Sequence, residues 1–202
     1  MECDERVVFE RSANLLGALS LAVSDRMSDA VAAAAGQSQT AAAALSALHH
    51  FLDAPSVDLL RQVLGLTSSG TVRLLDRLQG AGYVSRGAGR DGRSTTVGLT
   101  AAGREAAERV SVARARLLEE ALSPLSDDER DVFEALVSKV LVGLMREPGA
   151  VRWTCRLCDT PTCRSEPGDC PFRIEARRRY GADTGPPRAR PEPVAQAPRA
   201  VR

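Results

Sequence analysis

The run from Leu66 to Thr100, LTSSGTVRLLDRLQGAGYVSRGAGRDGRSTTVGLT, narrows the possible folds more than any other part of the chain. Thr67 stands where a helix N-cap belongs, and Val72, Leu74, Leu75 and Leu78 recur at spacings that line one apolar stripe, which is expected to pack inward. Ser68, Ser69, Arg73 and Arg77 fall largely on the other side: two short hydroxyls near the helix N-terminus and two charged donors. Gly80 and Gly82 bracket the helix end, Tyr83 and Val84 begin an extended segment, and the β-branched run from Ser94 to Leu99 can pair back with it. Between the strands, the tip GAGRDGR offers Arg90 and Arg93 on a backbone loosened by three glycines.

A helix followed by an arginine-tipped hairpin suits the reading of duplex DNA. The major groove, about 12 Å wide, accepts an α-helix whose Arg and Ser side chains reach base edges and phosphates. The narrower minor groove focuses negative potential and attracts an inserted arginine. The competing reading is a helix and hairpin that merely pack, with the arginines as a solvated face. Charge distribution bears on the choice. The net charge is only +1, yet residues 1–60 hold three arginines and eight acids, whereas residues 61–116 hold ten arginines and four acids. The basic surplus coincides with the helix and hairpin, as the electrostatic footprint of a DNA reader does.

The same residues resemble the winged helix-turn-helix signature of the multiple-antibiotic-resistance regulator (MarR) family. LTSSGTVRLLDRLQGAGYVSR is followed by RDGRSTTVGLTAAGRE, with Asp91-Gly92-Arg93 placed ahead of Leu99-Thr100 at the family's D-x-R-x-x-x-x-x-L-T spacing and with Gly103 beyond. The likeness spans residues 7 to 146. It implies that Arg93 enters the minor groove, with Arg90 beside it on the tip, that Asp91 braces the wing, and that Thr67, Ser68, Ser69, Val72, Arg73 and Arg77 face the major groove. It also implies a homodimeric regulator, most often a repressor in this family, released by a small aromatic molecule or by cysteine oxidation.

The rest of the chain fits a mainly α fold with a small β-hairpin wing, flanked by N- and C-terminal dimerisation helices. Val8, Leu15, Leu16, Leu19, Val23 and Met27 mark a first helix, from about residue 7 to 35, longer than a small domain needs for its own core. A second helix spans Thr40 to Leu52, with His49 and His50 near its end. Adjacent histidines point about 100° apart on a helix, so charge compensation of the C-terminus is expected rather than a shared ion. Pro55 and Ser56 open a short third helix that Gly65 ends, which completes a helix-turn-helix with the one that follows. A helix from Ala101 to about Leu122 precedes one opened by the capping box Ser126 to Glu129, which runs to about Met145. The first helix and this C-terminal pair can together close a two-fold interface, so the operator is expected to be an imperfect palindrome. The expected domains are residues 1–36, a dimerisation helix; 37–103, the winged helix-turn-helix; 104–147, further dimerisation helices; 148–180, a cysteine segment; and 181–202, a disordered tail.

Cys155, Cys158, Cys163 and Cys170 follow a C-x2-C-x4-C-x6-C spacing. A C-x2-C pair forms a chelating loop, and Pro161, Pro167 and Gly168 let the chain bring the other two thiols round. Four thiolates suit a structural, tetrahedral zinc. They also suit an iron–sulfur cluster, which the Cys170-Pro171 step echoes, or reversible disulfides. Cys3 stands apart as a bystander. Arg177, Arg178 and Arg179 lie on a short basic helix able to touch phosphate, and the proline-rich stretch from Gly181 lacks a face to bury. No Ser/His/acid set or glycine-rich phosphate loop is present, so an enzyme is not expected. With an acidic start and no run of about 18 apolar residues, the expected location is cytoplasmic.

Overall fold

The structure is a computed structural model that describes residues 3–89, 94–146, 150–159 and 170–181, with residues 3–10 and 150 as backbone only. Arg90, Asp91, Arg93, Cys163 and the tail from residue 182 lie outside the described residues. Among the described residues, eight helices and one hairpin follow in the order α1 (Cys3–Ala35), α2 (Gln39–His50), α3 (Val57–Leu64), α4 (Ser68–Gly80), β1 (Val84–Ala88), β2 (Thr95–Leu99), α5 (Ala101–Leu122), α6 (Asp127–Gly143), α7 (Ala150–Thr154) and α8 (Pro171–Tyr180). The mainly α architecture with a two-stranded wing is the one expected.

Local chemistry fixes the helix boundaries. Ser38, Ser56, Thr67, Thr100 and Ser126 each hold extended backbone and accept a hydrogen bond from the N–H three residues on. At Ser126 the box is complete, because the Glu129 carboxylate accepts in return from the Ser126 N–H at 2.9 Å. Those bonds hold the Glu129 carboxyl below its usual range.

The core lies where α2 crosses the others. Ala41, Ala42, Ala43, Ala44, Leu45, Ala47 and Leu48 are all buried, so this helix is enclosed on every side. Its alanines let neighbouring helices approach closely. Around it pack Val31 and Ala35 of α1, Leu60, Val63 and Leu64 of α3, Leu74, Leu75 and Leu78 of α4, and Ala106, Ala107 and Val110 of α5. The hairpin joins this core through Val84 and Val97, the alternate residues that face inward. Its strands pair antiparallel with Val84 opposite Leu99 and Ala88 opposite Thr95, and Pro55 O accepts from Val97 N–H to tie β2 to the start of α3. A second, smaller cluster joins Met145 at the end of α6, Val151 of α7 and Phe172 and Ala176 of α8.

Helices α1 and α6 leave apolar faces uncovered. Leu15, Leu16, Leu19 and Leu21 of α1 are exposed, as are Val132, Leu136, Val137, Val140 and Leu144 of α6, and no residue of α6 is buried. Among the described residues no helix is long and apolar enough to cross a membrane.

Candidate nucleic-acid interface

Helix α4 is the element on which a reading surface would stand. Leu74, Leu75 and Leu78 anchor it in the core, and Thr67, Ser68, Ser69, Val72, Arg73 and Arg77 are all exposed. The inward stripe differs in one position from the expected one: Val72 is 49% exposed and Thr71 is fully buried. The Thr71 hydroxyl donates to Thr67 O at 3.0 Å, which satisfies it inside its own helix and lets a polar residue hold a core position. Thr67 Oγ1 accepts from Gly70 N–H at 3.1 Å, so the first-turn hydroxyls sit on a capped helix end.

The wing is braced against α4 by an ion pair that sequence reasoning missed. Arg86 of β1 donates to Asp76 of α4 at 2.6 Å. An open groove of about 440 Å³ separates the two elements, with Val72, Arg86, Ser94 and Thr95 among its walls. At the base of the wing, Thr100 Oγ1 donates to Gly82 O at 2.6 Å, and Gly103 N–H donates to Thr100 Oγ1 at 3.0 Å. A Cβ on Gly103 would collide with the Tyr83 carbonyl, so only glycine allows α5 to start this close to the strand. Leu99-Thr100 and Gly103 therefore form one joint between the wing and α5.

The turn ahead of α4 is occupied from an unexpected side. Gly65 caps α3 in the left-handed region, φ 62°, and donates to Arg61 O and Gln62 O. The Trp153 ring of α7 lies directly on it: a Cβ built at Gly65 would stand 2.6 Å from Trp153 Cζ3. Arg156 stacks over the indole, 4.0 Å from the ring centroid, and donates to Trp153 O at 2.7 Å. Leu157 packs against the main core.

Of the four cysteines expected to gather, the structure describes three. Cys155 and Cys158 close one tight turn, with Cys158 N–H donating to Cys155 O at 2.9 Å. Cys170 sits at the N-cap of α8, and both it and Cys155 pack on the Met145–Phe172 cluster. Among the described residues no three His, Cys, Asp or Glu side chains gather as a metal site. The Cys158 thiol is held down to about 6. The first cause is the hydrogen bond with Cys155, followed by the Arg114 and Arg156 charges, with burial and Asp159 opposing. His50, in the last turn of α2, has a hydrogen-bond partner on α5. Its Nε2 meets Ser111 Oγ at 2.8 Å, and burial, then His49 and Arg114, keep its pKa below the ordinary range against Asp159. Of the three arginines of α8, two are occupied, since Arg178 and Arg179 both bond the Glu175 carboxylate.

The profile of the MarR family matches residues 36–94, from the end of α1 to the start of β2. No curated protein sequence matches the chain significantly. Among solved structures, MepR of Staphylococcus aureus, a transcription regulator of the multidrug efflux pump MepA, superposes with a TM-score of 0.58 at 19% identity, over 66% of this chain and 98% of that one. The complex of MepR with DNA superposes with a TM-score of 0.52, again at 19% identity, over 65% and 97% of the two chains. A MarR-family transcriptional regulator from Silicibacter pomeroyi is 26% identical with a TM-score of 0.50, over 64% and 89%. From the profile match across the helix-turn-helix and the winged-helix fold shared with these structures, residues 36–94 are similar to the MarR family of transcription regulators.

Proposed function

We propose that the chain is a homodimeric, sequence-specific repressor that reads a palindromic duplex operator, with α4 in the major groove and the wing in the adjacent minor groove. The observation that carries this reading is the exposed face of α4, where Thr67, Ser68, Ser69, Arg73 and Arg77 project outward beside a wing fixed to the same helix by Arg86 and Asp76. MepR, which shares the fold, has been crystallised on DNA. The uncovered apolar faces of α1 and α6 supply the surface for a second copy, which would set two readers about one helical turn apart. A small aromatic molecule between these helices and the reader is the expected effector. In the cysteine segment, Cys155, Cys158 and Cys170, with Cys163, hold a structural zinc. The tight Cys155–Cys158 turn supports that assignment, and iron with sulfide on elemental analysis would replace zinc by a cluster.

Two substitutions test the docking. Arg73→Ala relaxes base preference at one operator position by about 1–3 kcal/mol, measured with a panel of single-base operator variants. Arg93→Ala weakens binding most where the flanking minor groove is narrow. Equal loss on every duplex for both variants contradicts the assignment.

A further inference from the structure

We infer that the Cys155–Cys158 turn is a second effector site of this regulator, separate from the one between the dimer helices and the reader, that it takes a thiophilic divalent cation, and that its occupancy reaches α4 through Trp153 seated on Gly65. This rests on the reading of the chain as a DNA-binding regulator with a metal at these cysteines, and gives that metal a regulatory role in place of a purely structural one.

Three observations converge. The two thiols lie on the continuation of the helix that carries Trp153: Cys155 N–H donates to Val151 O at 2.8 Å, and the Arg156 guanidinium closes on Trp153 O. Trp153 in turn touches the backbone of Gly65 with no side chain between. That glycine is the left-handed residue joining α3 to α4, and its dihedral angles help to set how the reading helix crosses α3. The segment is also held on two sides, by Leu157 in the core of the reader and by Val151 and Cys155 on the cluster at the end of α6. A change in the turn therefore has no free end to absorb it.

A divalent ion binds two thiolates at about 2.3 Å each and sets their separation in place of the hydrogen bond that joins the two cysteine side chains without it. In a packed segment such a change is passed on as a shift of the neighbouring element. Here that element is the glycine turn of the helix-turn-helix, and the contact that passes it is the indole.

Trp153 is the sole tryptophan of the chain, so its emission reports the surroundings of this one ring. The experiment uses reduced, full-length protein stripped of metal and kept without oxygen, with a duplex selected by this protein from a randomised pool. Zn²⁺ or Cd²⁺ is titrated while ultraviolet thiolate–Cd²⁺ absorbance, Trp153 emission and operator anisotropy are followed. The expected result is a change of about tenfold or more in operator Kd, in step with a shift in emission and saturating with the absorbance. Cys158→Ser removes the ion response. Trp153→Leu keeps the Cd²⁺ absorbance and loses the change in Kd. Ion binding that leaves operator affinity unchanged overturns the inference and leaves the proposed function standing with a structural ion. Absence of thiolate–metal absorbance overturns it as well. Failure of both the stripped and the loaded protein to select any duplex refutes the proposed function, and the inference falls with it.

Discussion

Gly65 and Trp153 meet although they lie far apart in the chain, and each constrains the other. A left-handed backbone costs a non-glycine residue about 1–2 kcal/mol, and the indole leaves no room for a Cβ. Gly65→Ala is therefore expected to lower stability by more than that conformational cost in otherwise native protein, and by about that cost alone in a Trp153→Ala background, as read from urea unfolding of the four proteins. Equal losses in both backgrounds would mean that the ring does not bear on the turn. His50 gives a second test at this scale. Its pKa in the folded chain lies below the ordinary imidazole value of 6.5, so the unfolded state takes up a proton first as pH falls. Stability contributed by the neutral ring is full above that value and declines below it, and His50→Gln flattens the decline when unfolding is followed between pH 7 and pH 5.

Among the elements, the wing and the reading helix behave as one unit because Arg86 and Asp76 join them. The pair is partly exposed, with Arg86 at 30% and Asp76 at 58%, so Asp76→Asn costs no more than about 1 kcal/mol of stability. Its larger effect is on geometry: the variant is expected to bind operator several-fold more weakly while unfolding almost as the parent does, which paired anisotropy and denaturation curves will show. A matching loss in both measurements would make the pair merely structural. Elements with local causes were legible in the sequence. The caps at Thr67 and Ser126, the glycine that ends α3 and the β-branched return strand all act within a few residues. The exception within α4 is instructive, because the buried Thr71 replaces Val72 through a hydroxyl satisfied by its own helix, which apolar periodicity cannot register. Helix α7 was not foreseen at all. Nothing within its five residues specifies it; it is held by non-local contacts with α3 and α8. The lone tryptophan in a chain with 3% aromatic residues was the available signal, and Gly65, read only as a helix breaker, was its partner.

The whole molecule is divided by chemistry into a core that is closed and two faces that are open. Leu136 and Val140 of α6 stand 55% and 45% exposed beside the equally uncovered Val132, Val137 and Leu144, a pattern that burial in a two-fold interface explains. Leu136→Glu together with Val140→Glu is expected to convert a dimer to a monomer by light scattering and to lower operator affinity by about 10²-fold, because each half-site is then bound alone. A double variant that stays dimeric places the interface elsewhere. The same separation explains why the site was only half legible. The side chains that would touch DNA follow a local helix face, whereas the cysteine segment's place against the helix-turn-helix depends on contacts between residues far apart in the chain.

The central claim, that α4 and the wing read a specific duplex, is tested most directly by selecting a site from a randomised duplex pool with full-length protein. Its affinity is then compared with that of a scrambled duplex at fixed salt. An inverted repeat bound about 10³-fold or more tightly than the scrambled control is the predicted result. Selection of no common sequence, with equal affinity for both duplexes, would contradict it and leave a basic surface that binds DNA by charge alone.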